Sequence, residues 1–495
     1  MMKLSGWLLD SLLAVLLATA AFAVYSLAAA AEEPRGTKVQ AKVAYMGQFS
    51  LTPSHGPAGT EVRATGAGLP ADTELKLLWK TVEGSWVLEG EHQEQYRGRR
   101  FTPVDMPLNT ITTDSAGSFE AKFTVPDGWG FEHDVVVVQR DTGVIRNQAS
   151  FAVDMEVTVS PESGPPGTPI NIEVRGMGHR YLTNSWLVLY NNQLTGWMSS
   201  VTTGGTARAV IPATGRPGDR HVIRIMHGTW SNAYLNPHQS RAPDRPDYTF
   251  VFEVTEGQPV LPAAPETQSL PPESGARPPG DGPSLWSDPA AATVDTPMTI
   301  HGRGLPPGQD IELVYFRQEG TRLYGHDIIE TAAVLGEATV AADGTVEVAD
   351  ASFPDDLGGP HEIVARAGED VLAVGQFSIT PSVIVVAPTS GPVGTRLRIQ
   401  MKGVGWRETD NIYHVVYNNA YAGYACGFTS QGDVEIFLPA AGDPAPGWHF
   451  IDLYPGLYDG EDMPWTNNFR IPQLTGAEDH PNLLPVFRLA FKVEP

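Results

Sequence analysis

The chain has 495 residues and a formal net charge of −24 at neutral pH. This charge argues against nucleic acid and anionic membranes as partners, because phosphate groups are bound by basic surfaces. The single cysteine, Cys426, excludes an intramolecular disulfide. The 51 glycines and 42 prolines recur between short β-branched runs, so they predict many turns within a folded chain.

The N-terminal segment has the features of a secretory signal peptide. Lys3 precedes an apolar run over residues 11–27, and four alanines at 28–31 offer cleavage positions. We therefore expect residues 1–31 to export the chain to the periplasm, the cell surface or the medium. The run is also nearly long enough to span a membrane, so the alternative is that the segment is retained as an anchor. No other membrane contact is expected.

Two landmarks of the chain occur twice at the same distance. The turn Gly164-Pro-Pro-Gly-Thr168 returns as Gly391-Pro-Val-Gly-Thr395, and Tyr190-Asn-Asn192 returns as Tyr417-Asn-Asn419. Both offsets are 227 residues (391 − 164 and 417 − 190). A repeat unit of about 100 residues is a domain rather than a solenoid repeat.

A weaker pair of motifs lies ahead of these landmarks, Gly66-Ala-Gly-Leu-Pro70 and Gly302-Arg-Gly-Leu-Pro306. The order is therefore A-B-A-B. The predicted units are A1 (38–154), B1 (155–255), a proline-rich linker (256–284), A2 (285–380) and B2 (381–495). Because proline lacks a backbone N–H, the linker is expected to be an extended, unpaired spacer between two stiff A-B pairs.

Strand patterns dominate every unit. The segments Ile170–Val174 and Leu397–Met401 alternate apolar and polar residues, as half-buried strands do. Short strands separated by regular turns predict an all-β chain of four tandem immunoglobulin-like β-sandwich domains. The Gly-Pro-x-Gly-Thr turn, also present at Gly56–Thr60, and the Gly-x-Gly that follows resemble the IPT/TIG type of bacterial secreted immunoglobulin-like repeat. The resemblance implies a spacer or binding module, since this fold does not define a function.

One histidine stands at the same place in each unit, before an alternating strand. We expect it to replace the tyrosine of an immunoglobulin tyrosine corner and to bond to the turn backbone. A zinc site is not expected, because no second ligand lies at a suitable spacing. The four residues are His133, His221, His361 and His449.

Aromatic and amide side chains around the Asn-Asn motifs are the candidate ligand contacts. Such side chains stack on sugar rings and bond to hydroxyls. The alternative is structural, since Asn-Asn favours a tight hairpin turn and the aromatics can be core. The candidates are Tyr190, Asn192, Trp197, Tyr417, Asn419 and Trp465.

The stretch Lys80–Asn109 of A1 is longer than its counterpart in A2 and carries the one notable basic cluster. Long loops on rigid sandwiches often carry function. The alternative is an extra edge hairpin whose arginines pair with nearby glutamates. The basic residues are Arg97, Arg99 and Arg100, and the glutamates are Glu89, Glu91 and Glu94.

No catalytic or metal-binding motif is present in the sequence: it lacks G-x-S-x-G, H-E-x-x-H and the P-loop. We therefore predict no catalytic residues, no metal ligands and no cofactor. Loop carboxylates leave calcium as the weaker alternative to solvated turns. They are Glu330 with Asp355 and Asp356, and Asp459 with Glu461 and Asp462.

These observations predict a non-enzymatic scaffold or adhesion protein of the cell envelope or the extracellular space. Its partners would be envelope proteins or polysaccharide. The alternative is an accessory carbohydrate-binding protein that uses the aromatic and asparagine patches of the B units.

Overall fold

The computed structural model describes residues 45–180, 183–228, 233, 235–239, 247–321, 327–442, 446–457 and 471–495. The predicted export segment 1–31 lies outside these residues, so its prediction stays open.

Within the described residues, each unit contains eight strands. In A1 they are β1 (Gln48–Thr52), β2 (His55–Gly56), β3 (Glu61–Ala67), β4 (Glu74–Glu89), β5 (Gln95–Thr112), β6 (Phe119–Thr124), β7 (Phe131–Gln139) and β8 (Ile145–Val153). In B1 they are β9 (Glu156–Ser160), β10 (Ser163–Gly164), β11 (Pro169–Arg175), β12 (Trp186–Tyr190), β13 (Gln193–Met198), β14 (Ala207–Pro212), β15 (Arg220–His227) and β16 (Asp247–Val254).

The second block repeats this plan. The strands of A2 are β17 (Ser284–Asp288), β18 (Ala291–Ala292), β19 (Pro297–Arg303), β20 (Asp310–Thr321), β21 (Asp327–Thr339), β22 (Val346–Ser352), β23 (Gly359–Ala367) and β24 (Asp370–Ile379). The strands of B2 are β25 (Ser382–Ala387), β26 (Ser390–Gly391), β27 (Arg396–Lys402), β28 (Ile412–Tyr417), β29 (Ala420–Cys426), β30 (Val434–Pro439), β31 (Gly447–Gly456) and β32 (Phe487–Val493).

The sheet topology is the same in all four units. In A1 a three-stranded sheet has the order β1-β3-β6, and a five-stranded sheet has the order β2-β8-β7-β4-β5. The order in B1, A2 and B2 follows by adding eight, sixteen and twenty-four to each strand number. The short second strand pairs in parallel with the eighth strand of its unit. The predicted fold class, four immunoglobulin-like sandwiches in an A-B-A-B order, is confirmed.

Each sandwich has its own apolar core between its two sheets. The alternation predicted in B1 and B2 places every second residue inward: Ile170, Ile172 and Val174 are buried, as are Leu397, Ile399 and Met401. Burial of such side chains contributes about 1.5–3 kcal/mol each. The period-two pattern therefore fixes which face of each strand meets the core.

The junction between an A unit and its B unit is built from backbone contacts in both blocks. The Gly130 N–H donates to the Met177 carbonyl at 2.9 Å, and the Gly358 N–H donates to the Val404 carbonyl at 3.1 Å. A Cβ at Gly130 would lie 1.7 Å from the Gly176 carbonyl oxygen. The two glycines thus allow the backbones of the two units to meet, and the predicted stiffness of each A-B pair stays a prediction.

The linker differs from the predicted unpaired spacer. The Val260 N–H donates to the Pro166 carbonyl of B1 at 2.8 Å. The Gln268 side chain accepts from the Arg488 N–H at 2.6 Å and donates to the Arg488 carbonyl at 2.8 Å. The segment therefore lies against B1 and B2. Residues between its prolines, Val260 and Gln268, form the hydrogen bonds that proline cannot donate.

Helical turns in the described part of the chain are Pro237–Gln239 and Pro265–Thr267, both of the 3-10 type. No helix among these residues is long and apolar enough to cross a membrane.

We predict that Gly130→Ala destabilises the A1-B1 junction. The added methyl group would collide with the Gly176 carbonyl, and overpacking at a well-packed contact costs about 1–3 kcal/mol. Differential scanning calorimetry of the variant would show a lower transition temperature. Gly282→Ala is the matched control, because a Cβ at Gly282 meets nothing within 4 Å. Equal transition temperatures for the two variants would contradict the backbone contact.

Candidate functional site

Three units meet around Trp197 on β13. Its side chain is 2% exposed and belongs to a cluster with Tyr96 of A1, Met226 of B1 and Ile471 of B2. The guanidinium carbon of Arg99 lies 6.0 Å from the centre of the Trp197 ring. This indole therefore packs inside a junction of A1, B1 and B2 rather than facing solvent.

The long stretch of A1 forms the end of the β4–β5 hairpin, and it reaches both B units. Arg99 donates to the Asn184 side chain at 2.9 Å and to the Ser185 hydroxyl at 3.2 Å, both in B1. The Tyr96 N–H donates to the Glu408 carboxylate of B2 at 2.7 Å. The stretch has the shape of an edge hairpin, as the alternative expected. Among the described residues, Arg97 is the one arginine of this hairpin that pairs with one of its glutamates, Glu89, at 2.9 Å.

A buried carboxylate fastens B2 to B1. Asp479 of B2 is fully buried and accepts four hydrogen bonds from the loop that follows β13. Its oxygens lie 2.6 Å from the Ser199 hydroxyl, 2.8 Å from the Val201 nitrogen, 2.7 Å from the Thr202 nitrogen and 2.7 Å from the Thr202 hydroxyl. Hydrogen bonds to an ionised acceptor are among the stronger ones in proteins.

Main-chain pairing accompanies this carboxylate. The Trp197 N–H donates to the Pro472 carbonyl at 2.8 Å, and the Leu474 N–H donates to the Trp197 carbonyl at 2.8 Å. Trp197 thereby forms a parallel bridge with Gln473. Residues 472–474 of B2 act as a short sixth strand on the edge of the B1 sheet.

The structure brings together two predicted site residues, Tyr190 of B1 and Asn419 of B2. Both are buried, and the Asn419 side chain lies near the Tyr190 hydroxyl. Asn419 also donates to the Pro212 carbonyl at 2.8 Å, and its own carbonyl accepts from the Thr195 hydroxyl at 2.6 Å. Burial raises the pKa of Tyr190 to about 12. These groups act as an interface between units.

The remaining predicted contacts lie apart. Asn192 is exposed in the turn between β12 and β13. Tyr417 is half-buried, and its hydroxyl lies 2.9 Å from the His449 ring and accepts from the Ala441 N–H at 3.1 Å. Burial raises the pKa of Tyr417. Trp465 lies outside the described residues, and sugar binding by the set stays a prediction.

The Asn-Asn motifs adopt tight hairpin turns. All four asparagines have positive φ, between 48° and 63°, which matches the turn that asparagine favours in two-residue hairpins. The first asparagine of each pair also donates to a histidine ring. Asn191 lies 2.8 Å from His221, and Asn418 lies 2.9 Å from His449. The signal in the sequence for this pairing is that both partners recur at nearly the same distance, 227 residues for the asparagines (418 − 191) and 228 for the histidines (449 − 221).

The histidines of the A units hold the corner that precedes β7 and β23. His133 lies 2.9 Å from the Trp129 carbonyl and 2.9 Å from the Lys80 carbonyl. His361 lies 2.8 Å from the Leu357 carbonyl. The predicted bond from the ring to the turn backbone is confirmed in these two units. Burial lowers the pKa of His133, which favours the neutral ring.

A cleft of 570 Å³ lies between A1 and B1, lined by Phe131, His179, Arg180 and Tyr248 among others. Glu132 and Asp154 add negative charge to its wall. Its wall therefore combines ring faces with both signs of charge.

Protein groups bind two of the three carboxylates considered for calcium in A2, and the third, Glu330, is exposed. Asp355 pairs with Lys402, and buried Asp356 accepts from the Leu357 N–H at 2.8 Å. No group of three or more metal-binding side chains occurs in the described ranges. Asp459, Glu461 and Asp462 lie outside those ranges.

Sequence reasoning missed Asp479, Thr202 and Glu408. They are ordinary polar residues in loops, and none belongs to a repeated motif. One signal was available in the sequence: the segment Gln473–Asn482 of B2, which contains Asp479, has no counterpart motif in B1 and so is not explained by the shared fold.

Comparison with known proteins gave structural similarities alone. No family model matches the chain, and no curated protein matches it. Salmonella alpha-2-macroglobulin is 11% identical with a TM-score of 0.18; the alignment covers 91% of this chain and 31% of that one. The chain therefore spans about a third of the length of that protein.

Two further solved structures are similar over a larger part of their own length. Invasin, described as a bacterial integrin-binding protein, is 11% identical with a TM-score of 0.19 over 90% of this chain and 79% of its own. A putative membrane anchored protein from Corynebacterium diphtheriae is 12% identical with a TM-score of 0.18 over 86% and 93%. TM-scores this low carry no information about function.

We predict that Asp479→Ala destabilises the B1-B2 junction by about 3–5 kcal/mol, because it leaves buried donors without their acceptor. Urea unfolding followed by tryptophan fluorescence measures the loss. Asp281→Ala, in the exposed part of the linker, is the matched control and should change stability by less than about 0.5 kcal/mol. A loss for Asp479→Ala no larger than for the control would show that the carboxylate does not hold the units together.

We predict acid-dependent destabilisation through His480 of B2. Burial, followed by the positive charge of Arg407, lowers the pKa of His480 from 6.5 to about 3. Between these values the unfolded chain binds a proton that the folded chain does not. The contribution of the neutral His480 ring to the free energy of unfolding is therefore complete above pH 6.5 and is lost as the pH falls.

At about pH 4.5 the loss through His480 amounts to about 2–3 kcal/mol. His480→Asn should reduce the fall in unfolding free energy between about pH 8 and pH 4.5 by this amount, measured in urea. The exposed His238→Asn variant is the control and should keep the wild-type pH profile. Parallel profiles for wild type and His480→Asn would contradict the prediction.

Proposed function

We propose that the chain is a non-enzymatic scaffold of the cell envelope or the extracellular space, built from IPT/TIG-like sandwiches, that presents its surfaces in one fixed arrangement. The supporting observation is that every junction between units is fastened by specific contacts. The A-B junctions use paired backbones at Gly130 and Gly358. The B1-B2 junction uses Asp479.

Contacts between distant parts of the chain support the same proposal. Arg488 of B2 donates to the Val210 carbonyl of B1 at 2.7 Å, while its backbone binds Gln268 of the linker. The Glu408 N–H of B2 donates to the Glu94 carbonyl of A1 at 2.9 Å. Such contacts restrict the relative motion of the units. This restriction suits a protein whose surfaces must keep their relative positions.

The export expected from residues 1–31 supports placing this scaffold outside the cytoplasm. Envelope proteins or polysaccharide are its proposed partners. An adhesion role follows if the partner belongs to another cell.

We predict that attachment depends on the arrangement of the units. Beads coated with residues 32–495 should bind saturably to isolated envelopes of the producing organism. Asp479→Ala, which changes no exposed side chain, should lower binding at least about fivefold, because a second contact loses its favourable effective concentration when units separate. Small-angle X-ray scattering on the same samples should show a larger radius of gyration for Asp479→Ala.

Asp281→Ala is the control for both measurements and should match wild type. Full attachment by an Asp479→Ala sample that scattering shows to be opened would contradict the proposal. Absence of saturable binding by the wild-type chain would also contradict it.

A further inference from the structure

Each five-stranded sheet has a strand of two residues at one edge and a longer strand at the other, and the longer edge strands are β5, β13, β21 and β29. An edge strand presents unpaired backbone N–H and C=O groups, which can pair with a strand of another chain. Natural proteins usually cover such edges, shorten them, or place proline and charged residues on them. These four edge strands differ in how they are protected.

Three of the edges carry a recognisable protection. Residues 472–474 cover β13 at Trp197. The strand β5 contains Pro103 and Pro107 together with three arginines. The strand β29 is only 7 residues long. Each device limits the pairing of a further strand.

In the described part of the chain, the edge strand of A2 is not covered by another strand, is not short and contains no proline. Its protection consists of acidic residues and a β-bulge opposite Leu313 and Val314. The strand runs for 13 residues over Asp327–Thr339 and contains no basic residue. Ile329 is 51% exposed and Val334 is 54% exposed. Within the described part of the chain, β21 pairs with β20 alone. Its other edge is open along an apolar strand.

An apolar row on the face of the sheet opposite the core leads to this edge; its middle members, Val314 and Val364, are buried, and Val334 at the edge is exposed. Val374 pairs with Val364, Val364 pairs with Val314, and Val314 pairs with Val334. Leu313 and Tyr315, the neighbours of Val314, belong to the core, so the valines point to the opposite face. An added strand could extend this row by one more apolar side chain.

The charges beside the open edge have one sign. Glu330 and Glu337 of β21 are acidic, on a chain with net charge −24. A second copy would bring the same carboxylates to the edge and would be repelled. A strand with basic side chains would be attracted.

We propose that β21 is a strand-addition site for an extended segment of another protein in which apolar and basic side chains alternate. Main-chain hydrogen bonds to the open edge supply affinity, and the alternating side chains contact the valine row and the carboxylates. B1 gives the internal precedent, because its equivalent strand β13 already accepts residues 472–474. The inference deepens the proposed scaffold function and rests on it, since it names the chemistry of a partner.

The test uses residues 32–495 and a synthetic peptide, Lys-Val-Lys-Val-Thr-Val-Lys-Val. Binding measured by calorimetry should be accompanied by slower amide hydrogen exchange in residues 327–339. Val334→Lys should weaken binding at least about tenfold, because it interrupts the valine row and adds a like charge. Val371→Lys is the matched control: Val371 is 60% exposed in the same unit but lies on β24.

A peptide of the same composition with its valines in one block controls for charge attraction and should give no protection at 327–339. The proposal is overturned if the alternating peptide protects no part of that range, or if the two lysine variants weaken binding equally. It is also overturned if sedimentation shows a dimer that Val334→Lys dissociates, since a second copy is then the occupant. Small-angle X-ray scattering by the same samples separates two failures. An enlarged radius of gyration would mean that the units are not in a fixed arrangement, whereas an unchanged radius without peptide binding would mean that this site alone has failed.

Discussion

The buried Asp479 carboxylate is the contact on which the arrangement of the two blocks depends. It is held by two backbone N–H groups and two hydroxyls of B1, so all its partners lie in one loop after β13. A charge this deeply buried is tolerated only when it is fully hydrogen-bonded. The contact therefore specifies one position of B2 on B1, and Trp197, Tyr190 and Asn419 pack around that position.

Duplication explains why the fold could be predicted so fully. The turn Gly164–Thr168 and its copy at Gly391–Thr395 begin equivalent strands, and the alternation over Ile170–Val174 places its apolar residues in the core. These are local rules of turn geometry and period-two burial.

The contacts between the blocks could not be predicted from those rules. Trp197 and Tyr190 carry the residue types of a ligand site, yet part of their surroundings comes from residues of B2 that lie more than 200 positions away. Their burial depends on Asn419 and Ile471 of B2. The linker was misjudged for the same reason: its prolines predict a lack of donors, but Gln268 binds a backbone that lies 220 residues further along the chain.

The contacts between Gln268 and Arg488, and between Asp479 and B1, have a consequence for the covalent connection itself. The two halves of the chain recognise each other as the subunits of a heterodimer do, although one polypeptide encodes both. A cut in the exposed part of the linker around Asp281 would leave this association in place. The molecule is in this sense an asymmetric dimer of A-B protomers, and the peptide bonds between its halves supply proximity rather than shape.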